Sequence, residues 1–147
     1  MARPGRKYAL DTNIFIRAFR DENANARLQA FHAANAPFEY MSAIVAQELR
    51  AGATPHHARE LQRHVLEPFE RPGRFFAPSY DTWKQAGEVL ASLVAEKIVD
   101  WRHVSRSFLN DVLLAASCRE AGVVLMTDNV ADFERIQNVL KFSFVSL

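Results

Sequence analysis

Gly122-Val123-Val124-Leu125-Met126-Thr127-Asp128-Asn129 is the stretch on which the fold turns. Four apolar residues between a glycine and a Thr-Asp-Asn turn are too few for a helix and read as a short buried strand. The residues before it, 105–121, read as a helix, and Gly122 is placed to end that helix in a left-handed conformation. A helix leading directly into a buried strand that closes on an acidic loop is one unit of an alternating α/β chain.

Reading outward, Lys7–Leu10 has the same form: a short apolar run closed by Asp11-Thr12-Asn13. Helices are expected over 14–19 and 25–35, and Pro37 breaks the chain before a second strand at 38–41. Ser42 is a fitting N-cap for a helix reaching Ala51, where Gly52 stops it. A single helix is expected over 55–69, a turn at Pro72-Gly73, and a third strand at 74–77. From Ser79 onward Trp83, Leu90, Leu93, Val94 and Ile98 recur at helical spacing, which predicts core burial for Trp83. A last strand is expected at 142–147. Strands alternating with helices predict an α/β sandwich, a mostly parallel sheet flanked by helices, in one domain spanning 1–147.

Composition agrees with that size of core. The chain has 147 residues, 49% of them hydrophobic and 24% charged, with a net charge of +1. Such a balance neither announces nor excludes a polyanion partner, because a segregated surface can hide in a near-neutral total. The single cysteine, Cys118, can form no internal disulfide and sits in an apolar helix as inert packing. Arg3, Arg6 and Lys7 are followed by no apolar stretch before Asp11, unlike a signal peptide, and no run suits a membrane span. The expectation is a cytoplasmic protein with no membrane partner.

The acids carry the chemistry. In open parallel sheets ligands bind beyond the carboxyl ends of the strands, where both Asp11 and Thr127-Asp128-Asn129 fall. Turn initiation or helix capping would explain either site taken alone. Glu48 has Ile44, Val45, Ala51 and Gly52 as its helical neighbours, and Asp111 has Ser107, Phe108, Leu114 and Ala115. Both carboxylates therefore sit on largely apolar faces, where an ionised acid needs a cation, a base or a shell of donors. A salt bridge to Arg50 or Arg119 would serve one of them. Two such acids beside two acidic strand ends point to a shared site. Converging carboxylates need a raised pKa or a neutralising cation. With no Cys or His at zinc spacing, the cation suited to them is Mg²⁺ or Mn²⁺, and the chemistry is phosphodiester hydrolysis.

Leu10-Asp11-Thr12-Asn13, Ser42 with Glu48-Leu49, Asn110-Asp111 followed by 113–116, and Thr127-Asp128-Asn129 with Asp132-Phe133 resemble a PIN domain, and most of all the toxins of VapBC-type toxin–antitoxin pairs. The resemblance runs from the first strand to the last. It implies a PIN-like three-layer sandwich, Mg²⁺- or Mn²⁺-dependent endoribonuclease activity on RNA such as tRNA or rRNA, a homodimer and a cognate antitoxin. By position it assigns Asp11, Glu48 and Asp111 as catalytic and metal-binding acids. Thr12 or Asn13 would orient the first carboxylate, with Ser42 and Asn110 as supporting positions, and Thr127 would line the floor. Many relatives carry the fourth acid where this chain has Asn129. Asp128 is ranked first for that role, Asp132 is the alternative, and three acids with an amide is the third arrangement.

Around this cluster, Arg102 and Arg106 are placed to contact RNA phosphates. His56, His57, Arg59, Arg63 and His64 read as a solvated basic helix face, and Trp101 as core or interface. The apolar 28–31 and 61–69 regions are candidate dimer or antitoxin surfaces. A haloacid-dehalogenase-like phosphatase would want an Asp where Asn13 stands, and a receiver domain would want a lysine better placed than Lys141. The alternative from another class is a PIN-like RNA-binding or regulatory module without turnover, for which Asn129 is the favouring feature.

Overall fold

Tyr8, Ala9 and Leu10 are all buried and form β1 (Tyr8–Leu10), the middle strand of a five-stranded sheet. The computed structural model describes residues 5–147, so Arg3 lies outside the described residues. Strand order is β3-β2-β1-β4-β5, with β2 at Glu39–Ser42, β3 at Phe75–Phe76, β4 at Val124–Met126 and β5 at Phe144–Val145. Every pairing is parallel, with Tyr8 opposite both Glu39 and Val124. Full burial of β1 and β4 follows, because helices cover both faces of a parallel sheet.

From β1 the chain builds outward through β2 to β3, then crosses back to β4 and β5. That reversal opens a crevice at the carboxyl ends of β1 and β4, the topological switch point at which open α/β sheets bind ligands. The Asp11 amide donates to the Met126 carbonyl at 2.9 Å and ties the two strand ends together.

The helices are α1 (Thr12–Arg20), α2 (Glu22–Asn35), α3 (Ala43–Gly52), α4 (Pro55–Leu61), α5 (Glu67–Glu70), α6 (Tyr80–Ala95), α7 (Arg106–Ala121) and α8 (Val130–Gln137). Side chains start several of them: Asp11 and Ser42, at strand ends, cap α1 and α3, and Ser105 caps α7. Gly122 ends α7 at φ 67°, as anticipated.

Four expectations need correction. The helix expected over 55–69 is interrupted by a π-helical stretch at Gln62–Leu66. Pro68 has no N–H for the His64 carbonyl and its ring crowds that turn, so the ladder widens there. Helix α8 was not anticipated, although it buries Phe133 and Ile136. Trp83 is 59% exposed, because α6 turns Thr82, Ala86, Val89 and Leu93 inward and Trp83 lies one step round the helix from that stripe. Leu28, Phe31, Leu61, Leu66 and Phe69 are spent on the chain's own core. The apolar side chains left exposed include Ile16, Phe19, Tyr80, Trp83 and Trp101. Among the described residues no helix is long and apolar enough to cross a membrane.

Candidate active site

Asp11 is the first residue beyond β1, and capping α1 fixes its carboxylate: Oδ1 accepts from the Thr12 amide at 2.8 Å. Its other oxygen, Oδ2, accepts from Thr127 Oγ1 at 2.7 Å, one residue beyond β4. Thr127 has no exposed surface, so this hydroxyl forms the floor between the two strand ends. Asn129 in turn donates its amide to Thr127 Oγ1 at 2.9 Å. A strand end, a helix start and a buried hydroxyl thus hold one carboxylate in a single orientation.

Glu48 comes from α3, half-buried, and its Oε1 accepts from Thr12 Oγ1 at 2.9 Å. Thr12 therefore serves two acids, Asp11 through its amide and Glu48 through its hydroxyl. Asn13 takes neither role, and its Oδ1 is buried without a hydrogen-bond partner. Ser42 acts one step back: its Oγ caps α3 at the Ile44 amide, 3.2 Å away, and so sets the helix that presents Glu48.

Asp111 approaches from α7 and is 7% exposed. Its Oδ2 accepts from Asn129 Nδ2 at 3.2 Å, and the same amide group donates to Asp132 Oδ2 at 2.9 Å. Asn129 thus bridges two acids rather than being one. Asp128 points elsewhere and pairs with Arg17 at 2.8 Å, although its charge still reaches Asp11. Asp132 pairs with Arg135 at 3.0 Å. Asn110 is half-buried next to Asp111, while Arg102, in a 3₁₀ turn ahead of α7, and Arg106, the first residue of α7, are exposed.

The electrostatics follow from burial. Desolvation pushes Asp111 up to about 8, helped by the charges of Asp11, Asp132 and Glu48 and opposed by the Asn129 hydrogen bond. Asp11 is also raised, first by burial and then by Glu48 and Asp128, against the hydrogen bonds from Thr127 and Thr12. Among the described residues no Lys, Arg or His forms an ion pair with Asp11, Glu48 or Asp111. Oxygen donors without a cationic partner suit a hard divalent cation. Among the described residues no group of three or more His, Cys, Asp or Glu is arranged to hold a metal ion by itself. An open set with one or two carboxylates and water is how Mg²⁺ is usually held.

A family model for the PIN domain matches residues 8–139. The chain belongs to the PIN domain family. Solved structures share this PIN fold over nearly the whole chain. The DNA-bound VapBC structure from Salmonella typhimurium is 23% identical, with a TM-score of 0.69 over 96% of this chain and 98% of that one. FitAcB from Neisseria gonorrhoeae is 18% identical, with a TM-score of 0.69 over 93% and 95% of the two chains. VapBC2 from Rickettsia felis, bound to a promoter DNA fragment, is 21% identical, with a TM-score of 0.64 over 95% and 98%. No curated protein matches the sequence.

Two arginines that frame the PIN site escaped the sequence reading. Arg135 donates to Asp132 Oδ1 at 3.0 Å and to the Ile98 carbonyl at 3.2 Å, while its guanidinium lies 4.8 Å from the Phe108 ring centroid. The spacing of Asp132 and Arg135, three apart with Phe133 and Ile136 between and beyond, was the available signal. Arg17, facing Asp128 across 111 residues of sequence, left no local signal. Cys118 is buried in the core, which pushes its thiol pKa up, with the charge of Asp11 adding to the rise. His56, His57, Arg59, Arg63 and His64 are exposed, as expected of a solvated face.

Proposed function

We propose that this PIN domain is a Mg²⁺- or Mn²⁺-dependent endoribonuclease, the toxin of a VapBC-type pair, acting in the cytoplasm on tRNA or rRNA. The observation that carries the reading is the meeting of Asp11, Glu48 and Asp111 at the β1/β4 crevice with no basic side chain paired to any of them. Such a group is stable only when protons or an added cation neutralise it. The family membership and the toxin–antitoxin likeness of the solved structures support the nuclease and toxin parts.

In this reading Asp11 and Asp111 hold the divalent cation, and Glu48 completes its surroundings or positions the attacking water. The cation, when bound, polarises the phosphodiester and makes water a better nucleophile at neutral pH. Thr127 and the Thr12 amide keep Asp11 in one rotamer, so little reorganisation is needed when substrate arrives. Each of Asp128 and Asp132 pairs with an arginine, but the fourth acidic position is better supported at Asp132, because Asn129 ties Asp132 to Asp111. Arg102 and Arg106 bind flanking phosphates, giving affinity without base selection. A cognate antitoxin and the second copy of a homodimer would cover apolar surface left open by the fold, including Ile16 and Phe19 in the groove that Glu48 also lines.

The test is cleavage of a mixed tRNA and rRNA substrate by antitoxin-free protein with Mg²⁺ or Mn²⁺, with EDTA, and with Asp11→Asn. Discrete cuts lost with EDTA and in the variant are expected. Metal-dependent cleavage that survives in both Asp11→Asn and Asp111→Asn would refute the assignment. Well-folded protein that neither cleaves RNA nor binds Mn²⁺ would make the chain a binding module.

A further inference from the structure

Trp101 is 59% exposed and so is no part of the core. Its indole has no ring contact and no side-chain hydrogen bond among the described residues. The segment that carries it is nonetheless firmly held. Lys97 turns the chain off α6 at φ 59°, Val99 is buried, and the Ile98 carbonyl accepts from Arg135 at 3.2 Å. Asp100 then caps the 3₁₀ turn at Trp101–His103, accepting from the Arg102 amide at 3.0 Å and lying 2.8 Å from His103 Nδ1. An indole mounted this way needs little further ordering when a ligand stacks on it.

Helix α7 ends at Gly122 and leads directly into β4, so its first turn stands at the carboxyl end of the sheet, with the carboxylate cluster. Arg106 opens α7 ahead of Asp111, about 7–8 Å away along the helix axis, and the 3₁₀ turn stands just before it. A chain of contacts joins that turn to the cluster. Arg135 bonds both the Ile98 carbonyl and Asp132, and Asn129 bonds both Asp132 and Asp111. Tyr80 and Trp83, also exposed, lie at the opposite end, because Ser79 Oγ donates to Glu120 in the last turn of α7 at 2.7 Å. Around Trp101 the segment 97–106 carries Lys97, Arg102, His103 and Arg106 against Asp100 as its acid, and His103 engages Asp100.

We propose that Trp101 stacks on an unpaired base of the RNA substrate and holds the strand at the carboxylate cluster, with Arg102 and Arg106 on the adjoining phosphates. The inference rests on the ribonuclease reading above and adds to it the residue that grips a base. A ring face among cations is the combination that single strands use: the cations take the phosphates, and the ring takes whichever base lies over it. Because every base has a π face, Trp101 lends affinity and not sequence choice. A base inside a duplex is stacked on both sides and does not reach the indole. A protein partner fits less well, since the surround of the ring is charged, whereas the centre of a protein interface is depleted of charge.

The chain has two tryptophans, so Trp83→Phe leaves Trp101 as the sole indole reporter. With Asp11→Asn added to bar turnover, its fluorescence is titrated in Mg²⁺ with a short mixed-sequence single-stranded RNA. The same RNA as a duplex and inorganic polyphosphate are the controls for base access and for charge. The single strand should quench saturably, and neither control should. With Asp11 restored, Trp101→Ala should raise KM for cleavage about tenfold or more with kcat little changed, and Trp101→Phe should recover most of the loss. Trp101→Leu keeps apolar bulk without a π face and should behave as the alanine variant. Trp101 is exposed, so these replacements leave the core intact. Quenching matched by polyphosphate, a KM indifferent to Trp101→Ala, or leucine serving as well as phenylalanine would each overturn the proposal. Saturable quenching by RNA that the Asp11 chain never cleaves would sink the ribonuclease reading and leave the stacking standing. Cleavage with no change at Trp101 would do the reverse, and would leave this face to a protein partner.

Discussion

Thr127 Oγ1 gives its one hydrogen to Asp11 Oδ2 and accepts from the Asn129 amide, inside a region with no solvent to substitute for either. Thr127→Val keeps the shape and removes both bonds. It should cost about 1–3 kcal/mol, the range for leaving a buried acceptor unmet, and much of that loss should vanish in an Asp11→Asn background. Urea midpoints for the two single variants and the double variant measure the coupling, and Thr127→Ser should restore most of it. Asp111 carries a second prediction at this scale. Its pKa is about 8 in the folded chain against 3.8 for an unperturbed group, so the folded state holds the extra proton between those values. Its contribution to stability is therefore fully present below about pH 3.8 and is lost as pH rises through about 8. Metal-free protein should lose stability across that window, and Asp111→Asn should flatten the slope. A variant with the same pH slope as the unaltered chain would show that Asp111 is not the buried acid responsible.

Helix α8 shows at the scale of elements why part of the site was illegible. Its eight residues carry Asp132, Glu134 and Arg135 among only a few apolar positions, too short a run for periodicity to stand out. Asp132 was visible as an acid near Thr127, but without the helix nothing showed that Asn129 would join it to Asp111 or that Arg135 would face the segment before α7. Asp11, Glu48 and Asp111 were legible because each is an acid in an apolar setting, a conflict the sequence displays directly. Trp83 misled for the opposite reason: an aromatic at helical spacing fits two adjacent stripes, and only packing selects the Thr82–Ala86–Val89–Leu93 one. Arg135→Met tests the helix as an anchor. It keeps an apolar stem near Phe108 and removes the bonds to Asp132 and the Ile98 carbonyl. Stability should fall by about 1–2 kcal/mol. Amide exchange should quicken over residues 98–103 while the β1 and β4 amides stay protected. Uniform acceleration across the chain would place Arg135 in global stability and not in holding that segment.

The strand order decides the matter for the whole molecule. Placing β1 and β4 side by side brings Asp11 and Thr127, 116 residues apart, within 2.7 Å, while the α3 and α7 faces deliver Glu48 and Asp111 over the same crevice. The fold therefore works against itself at one place, gathering carboxylates that repel each other and lose hydration. A divalent cation that binds there favours the folded state by mass action, since the unfolded chain scatters the same acids. At a concentration one hundred times its dissociation constant the gain is about 2.7 kcal/mol. For a chain of this size that is a rise in melting temperature of roughly 5–10 °C. Mn²⁺ should produce such a rise, EDTA should reverse it, and the gain should grow from pH 6 to pH 8 as Asp111 gives up its proton more readily. An Asp11→Asn, Asp111→Asn double variant should melt higher than the unaltered chain without metal and respond little to Mn²⁺, because two mutually repelling buried acids have become neutral amides. A melting temperature indifferent to Mn²⁺ in the unaltered chain would mean that protons, not metal, neutralise the cluster, and the nuclease reading would fall with it.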